Sequence, residues 1–253
     1  MNRIRTCLAF GGIIVASTKL VSAATLYDGS AGNLPSDQAL AYQPDPAPGS
    51  ATQQQLANGV RLNTSAATTD KAGYFGIFGV NPAVPVMDRA TGFTVTFDLR
   101  LITEFHGNAS RAGLNIIALG SDKKGIELGF WANEIWAQAD SPLFQHAEGA
   151  AFDTTAGLLR YDLLISGNTY SLSQGATTLL TGAVRDYSSV GFFPYTQQNF
   201  LFVGDDTTSA DASFDFAYLA VTPVPEPGTV GLLLVGLGLI GAAWEKKRRR
   251  KAN

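Results

Sequence analysis

Carboxyl groups offer this chain its widest choice of chemistry. Glu127 and Glu134 stand seven residues apart. Retaining glycoside hydrolysis needs two carboxyls about 5 Å apart. On a strand, acids placed for that fall at i and i+2 or i+4, on one face. Seven residues apart on a continuous strand they point to opposite faces, and Asn133-Glu134 reads as a turn between strands. His146 and Glu148, with Asp140 upstream, form a His–carboxylate pair of the kind that orients a base; ordinary surface polarity is the competing reading. No Ser lies in a Gly-x-Ser-x-Gly elbow. Gly204-Asp205-Asp206-Thr207-Thr208, followed by Asp211, gathers hard oxygens suited to calcium, with Asp205 and Asp206 as the ligand candidates. Asp and Thr also build plain turns by bonding their own backbone, and the spacing is not that of an EF-hand loop. Trp131, Trp136, Phe130 and Tyr195 have the flat apolar surface that stacks on sugar rings. The competing role is core packing, and Phe130 and Trp131 face opposite sides if they share a strand. The sequons Asn63-Thr64-Ser65 and Asn108-Ala109-Ser110 carry little weight on their own.

Strands must position these groups. In 92–103, Phe93, Val95, Phe97, Leu99 and Leu101 fall on one face and Thr94, Thr96, Asp98 and Arg100 on the other, the period-two pattern of a half-buried strand. Similar runs cover 114–119, 126–131, 134–138, 158–166, 169–173, 200–203 and 213–221, after a short first strand at 25–27. Gly167-Asn168 predicts a two-residue hairpin turn. Many short strands between turns, with no long helical periodicity, predict an all-β antiparallel sandwich or barrel over 24–222. The Pro-, Gln-, Ala- and Ser-rich stretch 29–58 reads as a long surface excursion.

The 253 residues include 45% hydrophobic and 15% charged side chains, one Cys and two His. One Cys excludes a disulfide scaffold and a Cys-based zinc site, and two His exclude a His-rich metal centre. Between residues 25 and 222 there are 19 acids and 9 bases, a net charge of −10. An acidic body repels phosphate backbones, so nucleic acid is not an expected partner.

The bases concentrate at the ends. Residues 1–23 run from a basic start (Arg3, Arg5) through an apolar stretch to Val21-Ser22-Ala23, the order of a secretory signal peptide cleaved after Ala23. Cleavage removes Cys7 and leaves a thiol-free protein, suited to an oxidising compartment. At the other end, Val224-Pro225-Glu226-Pro227-Gly228 leads into 229–244, which hold no charge, and then a basic tail at 245–253 with Lys246, Lys247, Arg248, Arg249, Arg250 and Lys251 consecutive. As a helix, 16 residues reach about 24 Å, slightly short of an apolar bilayer core of about 30 Å. Snorkelling and thinning absorb that mismatch. The basic cluster stops transfer and stays on the cytoplasmic side. Within the span, Gly236-Leu237-Gly238-Leu239-Ile240-Gly241 matches a dinucleotide string, but without the strand, helix and acid that the chemistry needs; close helix packing is the better reading.

Pro225, Glu226 and Pro227, the short Gly/Leu-rich span and the Arg-rich end together resemble the Pro-Glu-Pro C-terminal sorting signal of bacterial proteins processed by exosortases. The resemblance implies an exported envelope protein, held in the inner membrane, cut near the triplet by an exosortase-type enzyme and passed to the cell surface or extracellular matrix. A permanent single-pass anchor is the alternative. The body resembles concanavalin A/laminin-G-like jelly rolls, and within them the choice-of-anchor Y module. The residues that carry this are Thr25-Leu26-Tyr27-Asp28-Gly29-Ser30, Lys124-Gly125-Ile126-Glu127-Leu128-Gly129-Phe130-Trp131, Glu134-Ile135-Trp136-Ala137-Gln138 and the 204–210 turn. This implies a jelly-roll β-sandwich ectodomain, and laminin-G-like relatives often hold calcium at a sandwich edge. The triple-carboxylate strand of laminarinase-like jelly-roll hydrolases is missing.

The expectation is therefore an exported protein with a signal peptide, one β-sandwich ectodomain, a linker at 223–228 and a single C-terminal hydrophobic helix. Its expected role is non-catalytic, structural or adhesive, within envelope or extracellular polysaccharide. The alternatives are a lectin-like carbohydrate-binding module, calcium-dependent or not, and a jelly-roll glycoside hydrolase.

Overall fold

The computed structural model describes residues 22–224. The expected signal peptide, the Pro225-Glu226-Pro227 triplet, the 229–244 helix and the basic tail lie outside the described residues. Among the described residues no helix is long and apolar enough to cross a membrane.

Sixteen strands follow in chain order: β1 (Ala24–Asp28), β2 (Ala41–Asp45), β3 (Thr52–Leu56), β4 (Gly59–Asn63), β5 (Lys71–Ile77), β6 (Phe93–His106), β7 (Asn115–Leu119), β8 (Lys124–Trp131), β9 (Glu134–Asp140), β10 (Leu143–Ala151), β11 (Leu159–Ser166), β12 (Thr169–Gln174), β13 (Thr177–Ala183), β14 (Arg185–Asp186), β15 (Phe200–Asp205) and β16 (Ala210–Pro223). They form two antiparallel sheets. The first runs β13-β12-β11-β6-β16-β4-β3, with β1 also on β16; the second runs β10-β9-β8-β7-β15-β5-β2, with β14 on β8. This is the expected all-β sandwich.

The first sheet obeys the alternation read from sequence. Phe93, Val95, Phe97, Leu99 and Leu101 of β6 are buried, while Thr94, Thr96 and Asp98 are partly exposed. Phe97 packs against Phe130 and Tyr161 in the core between the sheets. Each such fully buried side chain contributes about 1.5–3 kcal/mol of transfer free energy. The outer face carries paired charges instead, Arg61 with Asp215 and Arg160 with Asp98, each at 2.7 Å. Partly exposed pairs of this kind stabilise by at most about 1 kcal/mol.

The second sheet is buried on both faces at its centre: every residue of β7 and β15 is buried. Its inner face supplies Ile116, Ala118, Leu128, Leu201 and Val203 to the main core. Its outer face gathers Ile117, Leu119, Phe200 and Phe202 into a separate cluster with Tyr187 and Tyr195, from the loop between β14 and β15. That loop makes a roof over part of the sheet, and the uncovered remainder is a cleft.

Two sequence expectations need correction. The stretch 29–58 is not one surface excursion, because it contains β2 and β3, which pair with β5 and β4. β3 is an edge strand of Thr and Gln with both faces largely solvated, so it leaves no apolar alternation to read. Strands β4, β5, β10, β13 and β14 were also outside the expected set. In β5, Gly73 and Gly76 hide the alternation. In β10 no residue is fully buried.

Candidate functional site

The outer face of the second sheet is built around glycine. Gly73 of β5 and Gly204 of β15 are directly opposite one another. A Cβ on Gly73 would lie 2.3 Å from the Phe202 ring, and one on Gly204 would lie 2.4 Å from the Gly73 Cα. Only bare backbone lets Phe202 lie down over the strands at this point. One row away in register, Phe75, Phe202, Ile117 and Glu127 line up across β5, β15, β7 and β8, and Gln138 of β9 continues the row.

Over this floor opens a cleft of about 310 Å³. Phe192 and Phe193 of the roofing loop are 55% and 50% exposed at its rim, and Phe144 and Tyr195 complete the aromatic wall. Phe144 adopts a left-handed backbone conformation, φ 58°, a strained state for a non-glycine residue that costs about 1–3 kcal/mol and concentrates at ligand sites. Arg111 helps hold it there: its Nη1 donates to the Phe144 carbonyl at 2.7 Å and to that of Ser110 at 2.6 Å.

The polar groups of the cleft converge from separate strands and loops. Tyr195 donates its hydroxyl to Glu127 Oε2. Asn115 Nδ2 donates to Asp206 Oδ1 at 2.8 Å and to the Ala112 carbonyl at 2.7 Å. Asn115 is 2% exposed, and its Oδ1 has no hydrogen-bond partner among the described residues. Lys71 Nζ lies 2.6 Å from Asp45 Oδ2 at one end. Burial pushes the Glu127 carboxyl well above the usual carboxylate range; the nearby Asp206 charge adds to this, while the Tyr195 hydrogen bond and Arg111 oppose it. Burial likewise raises Asp206 to about 6, against the opposing effect of Arg111 and Lys71.

The residues singled out from sequence separate into three groups. Glu127, Asp206 and Tyr195 meet in this cleft. Asp205 lines it too but turns inward: its Oδ2 accepts from the Thr64 hydroxyl at 2.7 Å and its Oδ1 from the Thr207 backbone N–H at 3.1 Å. Burial raises its carboxyl to about 8. Both oxygens of Asp205 and one of Asp206 thus accept from protein donors. Among the described residues no three His, Cys, Asp or Glu side chains are grouped to hold a metal ion.

Trp131, Trp136 and His146 form a second cluster farther along the same face. Trp136 is fully buried and Trp131 is 8% exposed, so neither offers a free ring face for stacking. Phe130 lies on the opposite face, in the main core. The free rings are those of Phe192 and Phe193, which sequence reasoning missed; the adjacent pair of aromatics beside Gly191 was the available signal. His146 does not pair with Glu148. It stacks on Trp136 with ring centroids 4.5 Å apart, and its Nε2 lies 3.2 Å from Glu134 Oε1. Glu148 instead binds Tyr170 and Arg185.

For Glu127 and Glu134 the turn read between two strands is present, and the count along one continuous strand does not apply. The tight turn at 132–133 pairs Trp131 with Glu134, and cross-strand partners share a face, so both acids lie on the outer face. Glu134 sits opposite a residue four positions along β8 from Glu127. At 3.3 Å per residue that is about 13 Å, too far for the paired carboxyls of retaining hydrolysis.

Comparison with known proteins bears on the C-terminal end of the sequence. The family described as the PEP-CTERM protein-sorting motif matches residues 223–250. The chain is a bearer of the PEP-CTERM sorting motif. That motif marks it for export and for a membrane-anchored sorting step before the cell surface, in agreement with the order of triplet, apolar run and basic tail. No curated protein matches the chain. Among solved structures, the carbohydrate esterase vb_24B_21 from Shiga toxin-encoding bacteriophage phi24B is 14% identical, with a TM-score of 0.55 over 80% of this chain and 99% of that one; at this identity the likeness speaks to the sandwich fold alone. A protein of unknown function with a galectin-like fold from Bacillus subtilis is 10% identical, with a TM-score of 0.46 over 80% and 94%. The potassium-bound Emp46p carbohydrate recognition domain is also 10% identical, with a TM-score of 0.46 over 78% and 95%.

Proposed function

We propose that this PEP-CTERM protein is delivered by its N-terminal signal peptide, cut by an exosortase-type enzyme near Pro225-Glu226-Pro227, and left at the cell surface or in the extracellular matrix. There it acts as a non-catalytic adhesive component that binds carbohydrate through the cleft of its second sheet. The observation that carries this reading is the cleft itself: half-exposed phenyl rings at the rim, above a floor of convergent carboxyl and amide groups. Sugar rings present apolar C–H faces to aromatic side chains and hydroxyls to polar ones, and sites of this shape supply both.

A glycan array probed with the full chain tests the reading. Binding to a subset of polysaccharides is expected, without release of reducing sugar. It is expected to persist in chelator, because Asp205 already spends its oxygens on protein donors. Phe193→Ala is expected to weaken binding about tenfold, the scale of one lost base- or ring-stacking contact of about 1–3 kcal/mol. If Phe193→Ala binds every glycan as the parent does, the cleft is not the binding site.

A further inference from the structure

We infer that the end of the sandwich at which the chain leaves toward its sorting motif is a lipid-contact surface, and that the uncharged loop 78–87 seats it on the bilayer while the tail is anchored. This inference rests on the membrane-anchored sorting step and adds which face of the sandwich meets lipid.

Strand pairing fixes which end this is. β5 ends at Ile77 in the second sheet and β6 begins at Phe93 in the first, so residues 78–92 cross one end of the sandwich. Pro223, the last residue of β16, pairs with Phe93, and the Val224 N–H donates to the Gly92 carbonyl at 2.9 Å. Ala24, the first residue of β1, pairs with Val221. The described chain therefore enters and leaves at the end that this loop crosses. Five chain steps separate Val224 from Thr229, where the uncharged run begins; fully extended, they reach at most about 18 Å. With that run held in a membrane, this end of the sandwich stays close to lipid, and even a weak surface contact acts at the high effective concentration of a short tether.

The loop has the chemistry of such a contact. Phe78-Gly79-Val80-Asn81-Pro82-Ala83-Val84-Pro85-Val86-Met87 carries no charged side chain, within a body of net charge −10. Val84 and Met87 are buried in the main core and hold the loop down. Phe78, Val80 and Val86 are left 49%, 68% and 49% exposed, and exposed apolar groups gathered in this way mark contacts with lipid or protein. The backbone is satisfied largely from within. The Ile77 carbonyl accepts from the Val80 and Asn81 N–H groups at 3.1 and 2.8 Å, and the Asn81 carbonyl accepts from the Val84 N–H at 3.0 Å. Asn81 Oδ1 accepts from the Ile77 N–H at 2.9 Å, and Pro82 and Pro85 have no N–H to leave bare. A preformed loop of this kind can lower its apolar tips among acyl chains without stranding backbone donors. The Ser121 N–H donates to the Met87 carbonyl, which brings the 121–124 turn alongside. The charges there are balanced: Arg89 pairs with Asp122 at 2.5 Å and Lys124 with Asp186 at 2.9 Å, and Lys123 offsets Asp88 in sign. Anionic headgroups therefore meet no local share of the body's negative excess.

Fluorescence quenching of the full chain tests this in vesicles of phosphatidylethanolamine and phosphatidylglycerol, with and without nitroxide-labelled lipid. In a Cys7→Ser background, Val80→Cys and Phe105→Cys each carry one fluorophore. Phe105 is 55% exposed and lies near the far end of β6, about 40 Å along the strand from Phe93 at 3.3 Å per residue. The fluorophore at position 80 is expected to be quenched by the nitroxide lipid and the one at position 105 to be unaffected. Val86→Asp is expected to lower the docked-to-undocked ratio read at position 80 about tenfold, the scale of trading partial burial of an aliphatic side chain for a charge. A chain that floats with the vesicles while neither position is quenched overturns the inference and leaves membrane anchoring standing. Equal quenching at both positions also overturns it, because no one end would then face lipid. Shielding of position 80 that follows protein concentration and not nitroxide lipid assigns the loop to a second copy, and overturns it as well. If the chain does not float with the vesicles, the anchored step falls, and this inference with it.

Discussion

Asp205 and Asp206 are adjacent and chemically identical, yet the fold gives them different work. The strand pleat turns Asp205 toward Thr64, the residue just after β4 of the opposite sheet, and leaves Asp206 facing Asn115 in the cleft. Burial raises the first to about 8 and the second to about 6, from an ordinary value of 3.8. A carboxyl whose folded value is raised binds its proton more tightly in the native state. Its contribution to stability is complete below pH 3.8 and is lost as pH rises through about 6 for Asp206 and about 8 for Asp205. The melting temperature is therefore expected to fall on the order of 5 °C or more between about pH 5 and about pH 9. Asp205→Asn is expected to flatten that decline. The amide oxygen can still accept from the Thr207 N–H, and the Thr64 hydroxyl can turn its proton to the Ala212 carbonyl, 3.3 Å away, and accept from the new amide. Calorimetry at the two pH values checks this; a D205N variant as pH-sensitive as the parent assigns the dependence elsewhere. Little of this was legible in sequence. Asp205-Asp206 stood out as a local acidic pair, but the partners that define each acid, Thr64 and Asn115, are 141 and 91 residues away.

Among the elements, legibility followed burial. Strand β6 declares itself because one face is apolar and the other solvated. Edge strands β3 and β10 do not, because their side chains meet water on both sides and no alternation is selected. The tight turn at 132–133 shows how one element boundary changes a functional reading. It puts Glu127 and Glu134 on one face, where counting along an unbroken strand puts them on two. The facing glycines Gly73 and Gly204 have the opposite character. In sequence they interrupt two strands, and in the sheet they let Phe202 lie flat and leave the cleft open. Gly73→Ala places a Cβ 2.3 Å from the Phe202 ring, so the ring must lift toward the cleft. The expected outcome is a folded protein, destabilised by about 1–3 kcal/mol as for an overpacked site, that binds its glycan at least tenfold more weakly. Urea denaturation and titration with the same glycan measure the two effects; unchanged affinity would show that Phe202 does not shape the ligand site.

At the scale of the whole molecule, a negatively charged sandwich is followed in the chain by a C-terminal segment that acts as an address. The sandwich buries one large core between its sheets and a smaller aromatic one under the roofing loop. The second core raises the walls of the cleft, so the loop that closes the fold also builds the site. The C-terminal motif at 223–250 directs the sandwich to the envelope. Mass spectrometry of the protein recovered from the producing cell's surface is expected to show a new C-terminus near Pro225-Glu226-Pro227. Replacing all three residues with Ala is expected to leave the uncut chain in the inner-membrane fraction. Surface delivery of the intact, triple-substituted chain would mean that the tail is an anchor and not a cleavage signal.

What the sequence by itself determined is what depends on local pattern: a C-terminal sorting signal read from a triplet, an apolar run and a basic tail, an all-β body read from period-two alternation, and sparse sulfur and histidine that narrow the chemistry. Tertiary structure alone decided which side chains share a site. Glu127, Tyr195, Asn115 and Asp206 belong to strands and loops that become neighbours only through antiparallel pairing and the closing of one loop over a sheet. Sheet order and register are long-range choices, made by packing free energy summed over the whole core, and no short stretch of residues encodes them.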